Sequence, residues 1–261
     1  MGTPTFIDSH THLTDPAYAT DLPEVLARAR GAGVVAFIAV GYDLRSSEAA
    51  ITLASKHADV WATVGIHPNC SEPVTDGSFQ RLEELAGMPR VVAIGECGLD
   101  FFRDRAPADR QRVAFQTQLA IAAARGLPVV VHSRDAMAET LEVMTGASLK
   151  RGGVMHCFDG TIEDAARAVS IGLWVSVAGP ITYRKDLTLA AAIASVPPER
   201  LLIETDCPYL GPVGFRGQRN EPARVALIAE AVAKVRGVTA DRIGAETTAA
   251  ASALFRIEAA E

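Results

Sequence analysis

The sequence is short of the features that would place it in several large protein classes. None of its 261 residues falls in an apolar run approaching the roughly 18 that a membrane span needs, so no spanning helix and no membrane partner is expected. The opening Met1-Gly2-Thr3-Pro4 carries neither a basic nor an apolar segment, so no secretory signal is expected. The cysteines Cys70, Cys97, Cys157 and Cys207 show no CxxC spacing. They read as free thiols of a cytoplasmic protein, not as a disulfide framework. Excess positive charge is absent as well. The net charge of -6 excludes the broad basic surface of proteins that coat nucleic acid, so any phosphate-bearing substrate must be gripped by a local site. No obligate protein partner is implied. The first apolar run is not followed by G-x-G-x-x-G, which argues against an open dinucleotide-binding sheet.

What is present is an ordinary globular composition, 49% hydrophobic and 21% charged, at a length that suits one undivided domain over 1–261. Short apolar, β-branched runs recur at 6–7, 34–40, 60–66, 91–94, 129–131, 154–155, 173–177 and 201–203. Their continuous apolar character fits strands buried on both faces of a parallel sheet. Helical spacing lies between them. Leu22, Val25, Leu26 and Ala29 share one face, with Asp21 placed to cap and Gly31 and Gly33 to stop. Ser46 or Ser47 is expected to cap the next helix, and 107–125 presents Phe115, Leu119 and Ala122. Thr161 with Asp164 has the spacing of a capping box, Asn220 and Pro222 can open a helix through Val235, and a last apolar helix over 241–255 is expected to pack outside. Strands alternating with helices without a linker predict a single (β/α)8 TIM barrel.

The chemistry-bearing residues fall in one place on that barrel. Of six histidines, His10 and His12 follow the first strand, His67 the third, His132 the fifth and His156 the sixth. Glu96 ends the fourth strand, and Glu204 and Asp206 the eighth. Strand C-termini form the rim where barrel enzymes hold their reacting groups. Only His57 stands at a helix end, where it reads as solvated. The donors exceed what one tetrahedral ion needs, which predicts two divalent ions, zinc, manganese or magnesium, bridged by Glu96. His10, His12 and Asp206 complete one ion, His132 and His156 the other. Two carboxylates against two divalent cations leave the centre positive, which attracts phosphate to an acidic protein. Such ions lower the pKa of water toward neutral and steady the attacking and leaving oxygens, with Asp206 holding or deprotonating the water.

The motifs Asp8-Ser9-His10-Thr11-His12, Gly65-Ile66-His67-Pro68, Gly95-Glu96-Cys97-Gly98-Leu99-Asp100 and Val131-His132-Ser133-Arg134 resemble those of the TatD family. So do His156-Cys157-Phe158-Asp159-Gly160, Glu204-Thr205-Asp206-Cys207-Pro208-Tyr209-Leu210 and Arg216-Gly217-Gln218-Arg219-Asn220-Glu221-Pro222. The resemblance spans nearly the whole chain. It implies a metal-dependent TIM-barrel hydrolase of the amidohydrolase superfamily, in a family with several deoxyribonucleases, and the same ligand set. It also puts His67 and the 216–220 loop near the substrate phosphate. Two departures stand out: Asn69 where His-Pro-His is usual, and Ala250 where an asparagine closes Thr-Thr-x-Asn.

Several residues carry two readings each. Cys97, Cys157 and Cys207 each follow a proposed ligand and read as small buried residues behind the rim. Asp8 is placed to orient a ligand from behind, and Glu204 to contact a metal, a water or His67. Arg216 and Arg219, beside a helix start at Asn220, read as a phosphate clamp. The chain is therefore expected to be a metal-dependent deoxyribonuclease acting on strand ends or single strands. The rivals are an amide or ester hydrolase, such as an aminoacyl-tRNA deacylase on the same centre, and a non-catalytic nucleic-acid adaptor stabilised by its metals.

Overall fold

The computed structural model describes residues 4–72, 74–103 and 105–258. Eight parallel strands form one sheet in sequence order, β1 (Phe6–Thr11), β2 (Val34–Val40), β3 (Val60–Val64), β4 (Val91–Asp100), β5 (Val129–Arg134), β6 (Gly153–Met155), β7 (Leu173–Val177) and β8 (Leu201–Ile203). The sheet closes at its upper rim, where the chain leaving β8 pairs with the end of β1. Asp206 N donates to His10 O at 3.0 Å and His12 N to Cys207 O at 2.8 Å. This is the TIM barrel that the alternating pattern predicts.

Helices cover the outside: α1 (Leu22–Gly31), α2 (Leu44–Lys56), α3 (Asp76–Ala86), α4 (Ala108–Arg125), α5 (Met137–Gly146), α6 (Ile162–Ser170), α7 (Leu187–Ser195), α8 (Val225–Arg236) and α9 (Ala240–Phe255). The capping box of α6 forms as its spacing requires. The cap of α2 is not a serine. Asp43 takes that place, accepting from Ser46 N at 2.6 Å, while Ser46 Oγ reaches back to Asp43 N at 2.9 Å. Asp21 precedes α1 but does not cap it, because its carboxylate is taken by Arg219. Helices α3, α5 and α7 have no counterpart in the sequence reading.

Strand residues alternate between two apolar layers. Phe6, Phe37, Val131 and Ile203 face outward onto Phe115, Leu119, Leu141 and Ile228 of the helices. Ile7, Ile38, Val92, Val130, Val154 and Leu202 fill the interior, each worth about 1.5–3 kcal/mol when buried. The last helix does more than pack outside: Ala250, Ala251, Leu254 and Phe255 of α9 join this interior cluster. Thr248 Oγ1 donates to Thr5 O ahead of β1, so α9 lies at the end of the barrel opposite the rim. Ala250, where the family pattern has asparagine, is 3% exposed in that apolar seat, which suits a methyl group and no amide.

Strand β4 is longer than its apolar run, continuing through Gly95-Glu96-Cys97-Gly98 to Asp100. The apolar run stops at Ile94, yet Cys97 to Asp100 pair with Val131 to Arg134 of β5 after a register shift beyond Ile94. The fit depends on missing side chains. A Cβ on Gly95 would stand 2.4 Å from Val130 O, and one on Gly98 2.0 Å from His132 O. Glu96 therefore sits at an irregularity inside a strand rather than at its end, and such irregularities redirect a side chain.

Candidate metal centre

Five imidazoles and two carboxylates meet at the rim. His10 comes from within β1 and His12 from just past it, Glu96 from β4, His132 from β5, His156 from just past β6, and Asp206 from the loop after β8. His67 arrives from beyond β3, capping a short 3-10 turn at Pro68–Cys70. His10 and His12, two residues apart, project to one side, with their Nε2 atoms 3.3 Å apart.

The two oxygens of Glu96 face different partners. Oε2 is 3.5 Å from His10 Nε2 and 3.8 Å from His12 Nε2. Oε1 is 2.8 Å from His132 Nδ1, 3.1 Å from His156 Nε2 and 3.5 Å from His67 Nε2. Asp206 Oδ1 completes the first side, 3.3 Å from His12 Nε2 and 3.7 Å from His10 Nε2. Donors held about 2.0–2.2 Å from one ion stand at separations of this order from each other. Three sets of three donors among the described residues are close enough to share an ion: His10 with His12 and Asp206, His10 with Glu96 and His156, and His67 with Asp100 and His132. Buried imidazole nitrogens turned toward one another, with carboxylates between them, suit divalent cations and little else.

Hydrogen bonds behind the cluster fix which ring nitrogens point inward. Glu204 Oε1 lies 3.0 Å from His156 Nδ1 and accepts from Cys157 N at 2.7 Å, which leaves the His156 Nε2 lone pair facing Glu96. Glu204 thus holds His156 and does not reach His67. Asp100 Oδ2 stands 3.4 Å from His132 Nε2, and the Nδ1 of that ring faces Glu96 Oε1 at 2.8 Å. His67 Nδ1 accepts from Asn69 N at 3.0 Å, so its proton resides on Nε2 and points into the centre. With Nδ1 occupied in this way, the hydrogen of the neutral ring lies on the side of Glu96. Asn69 also donates from Nδ2 to Asp100 Oδ2 at 2.8 Å, a second task at the position where the family usually has histidine. Asp8 touches no imidazole ring; it accepts from Thr205 Oγ1 at 2.6 Å and Thr205 N at 2.9 Å, fixing the residue before Asp206.

Charge within the cluster is strongly coupled. Burial opposes ionisation of Glu96, but the surrounding imidazoles outweigh it and hold the carboxyl well below its usual range. Burial likewise disfavours protonated His156, His132 and His12, yet their carboxylate neighbours raise all three. His10 moves down, through burial and then the charge of His156. His67 is pushed down to about 3, chiefly by burial, and is neutral at working pH. Burial lifts the thiols of Cys97, Cys157 and Cys207, and none belongs to a ligand set among the described residues.

The 216–220 loop does not act as a pair of clamps. Arg219 is bound on both sides, by Asp21 at 2.7 and 2.6 Å and by Glu221 at 2.9 Å, and it also donates to Ala17 O. Asn220 is fully buried and donates from Nδ2 to Thr205 O at 2.9 Å. Both residues anchor the loop through these bonds. Arg216 remains, exposed and stacked 4.5 Å from the Tyr183 ring centroid. Sequence reading also passed over the rings beside His12, Tyr42 and Tyr209, whose centroids lie 5.7 and 5.6 Å away. Tyr209 stands within the motif from Glu204 to Leu210, but nothing local reveals which way its ring turns.

The model of the family described as "TatD related DNase" matches residues 7–256. The chain is 37% identical over 251 residues to a Bacillus subtilis protein named an uncharacterized metal-dependent hydrolase, YabD, covering 96% of this chain and 98% of that one. It is 39% identical over 256 residues to the 3'-5' ssDNA/RNA exonuclease TatD of Enterobacter lignolyticus, with coverage of 96% and 98%. Among solved structures, the TatD homolog YJJV of Escherichia coli superposes with a TM-score of 0.93 at 32% identity, covering 97% and 98%. The match runs from the first strand through the closing helix, so it takes in every element that carries a donor to the centre. The chain belongs to the TatD-related DNase family.

Proposed function

We propose that this protein is a metal-dependent nuclease that shortens single-stranded DNA from its 3' end by phosphodiester hydrolysis at two divalent ions. The division of the Glu96 oxygens between two donor sets carries this reading. The exonuclease relatives support the substrate class and polarity. His10, His12, Glu96 and Asp206 would hold one ion; Glu96, His132 and His156 the other. Bound there, the ions supply Lewis acidity toward phosphate oxygens and a water of lowered pKa.

The remaining steps belong to the chain itself. Asp206, held ionised against burial by His12, His156 and His10, is placed to accept the proton of the attacking water. Neutral His67 offers its Nε2–H to a non-bridging phosphate oxygen; with its proton on Nε2 and no positive charge, it binds rather than protonates. Arg216 adds a cation at the mouth. Glu204 and Asp100 keep His156 and His132 from rotating. The net charge of -6 disfavours a long duplex, which makes free ends the better substrates. No helix among the described residues is long and apolar enough to cross a membrane.

The test is an end-labelled single-stranded oligonucleotide given to metal-stripped protein with zinc, manganese or magnesium restored in turn, beside matched duplex, RNA and aminoacyl-tRNA. Stepwise shortening from the 3' end that EDTA abolishes is the expected result. Faster release of the amino acid than of nucleotides, or no cleavage with any ion, would overturn the reading.

A further inference from the structure

We propose that Phe102 and Arg134 form a stacking platform for a base of the single-stranded substrate, beside the phosphodiester being cleaved. This rests on the nuclease reading above and deepens it. Phe102 follows β4 and is 58% exposed, an unusual setting for a phenyl ring. The Arg134 guanidinium lies over it, with Cζ 3.9 Å from the ring centroid. Among the described residues the guanidinium of Arg134 has neither an ion pair nor a hydrogen bond, unlike that of Arg219.

The platform is joined to the metal centre by short links. Arg134 ends β5 two residues after His132, on the same face of the strand. Phe102 N and Arg103 N each donate to Asp100 Oδ1 at 3.0 Å, and the other oxygen of that carboxylate is 3.4 Å from His132 Nε2. Phe101 N donates to Arg134 O at 2.9 Å and ties the two halves together. A ring that served only to stabilise this turn would gain more by folding under it. Left in solvent beneath a guanidinium, and anchored through Asp100 to a candidate ligand, the ring matches an unpaired base. Aromatic faces accept any base, and only a single strand has one to give. The platform thus supplies single-strand preference through stacking.

The experiment compares wild type, Phe102→Ala and Phe102→Trp on an ordinary single-stranded oligonucleotide and on one whose two 3'-terminal residues are abasic. Loss of one base–aromatic stack lowers kcat/KM of Phe102→Ala roughly ten- to a hundredfold on the ordinary strand. Phe102→Trp keeps the wild-type rate, and its added indole fluorescence is quenched on mixing with the ordinary strand but not the abasic one. On the abasic strand wild type and Phe102→Ala are equally slow. Equal losses for Phe102→Ala on both strands, or no loss on either, would overturn the platform while leaving the nuclease reading intact. A wild type inert toward the ordinary strand would remove both.

Discussion

Glu204 grips His156 from behind: its Oε1 stands 3.0 Å from Nδ1, which turns Nε2 toward Glu96. His156 follows β6 and Glu204 follows β8, with β7 between them, so the distance reflects the sheet's tertiary arrangement and not local sequence. Partners of this kind commonly govern metal affinity by 10- to 100-fold. Glu204→Gln should therefore bind metal roughly 10- to 100-fold more weakly while keeping its fold, as read by chelator competition and circular dichroism. Unchanged affinity would show that His156 needs no orienting partner.

Glu96 faces both donor sets, and His132 only one. Glu96→Ala should lose metal from both positions and all hydrolysis, whereas His132→Ala should lose about one equivalent. Elemental analysis of the purified variants decides. Full occupancy in Glu96→Ala would end the bridging assignment.

Metal uptake should release protons. His12, His132 and His156 have raised pKa values in the metal-free protein, so near neutrality they bind protons that an incoming cation must displace. Affinity should therefore rise with pH and fall as pH drops through those raised values. Calorimetric titration in buffers of different ionisation enthalpy measures the protons released; a buffer-independent heat would contradict the coupling.

The two arginines of the 216–220 loop should separate cleanly. Arg216→Ala should raise KM for a phosphodiester about tenfold, less at high salt, with metal content and Tm unchanged. Arg219→Ala should lower Tm instead, because Asp21 and Glu221 lose their shared partner. A KM effect confined to Arg219→Ala would reverse this assignment.

Leu254 of α9 is 1% exposed among the barrel-interior residues. Leu254→Ala should cost about 2–5 kcal/mol of stability through lost burial and the cavity left behind. Urea unfolding monitored by tryptophan fluorescence tests it, and a cost near zero would mean that α9 merely rests against the barrel.

The sequence by itself determined the barrel and which histidines and carboxylates gather at its rim. Continuous β-branched runs announce buried parallel strands, and at strand ends the chain order alone says which histidines and carboxylates share a rim. Caps within three residues were legible too, as Thr161 and Asp164 show. What the tertiary structure decided depends on neighbours distant in the chain. Glu96 lies inside β4, not at its end, because pairing with β5 carries the strand on to Asp100 past the apolar run. Arg219 looks like a phosphate ligand until Asp21, nearly two hundred residues earlier, is seen to hold it. Which nitrogen of His67 or His156 faces inward follows from Asn69 and Glu204, and no spacing rule encodes a ring's orientation. Residue identity fixes which groups can bind and react; their direction is set by packing and hydrogen bonds that exist only once the barrel has closed.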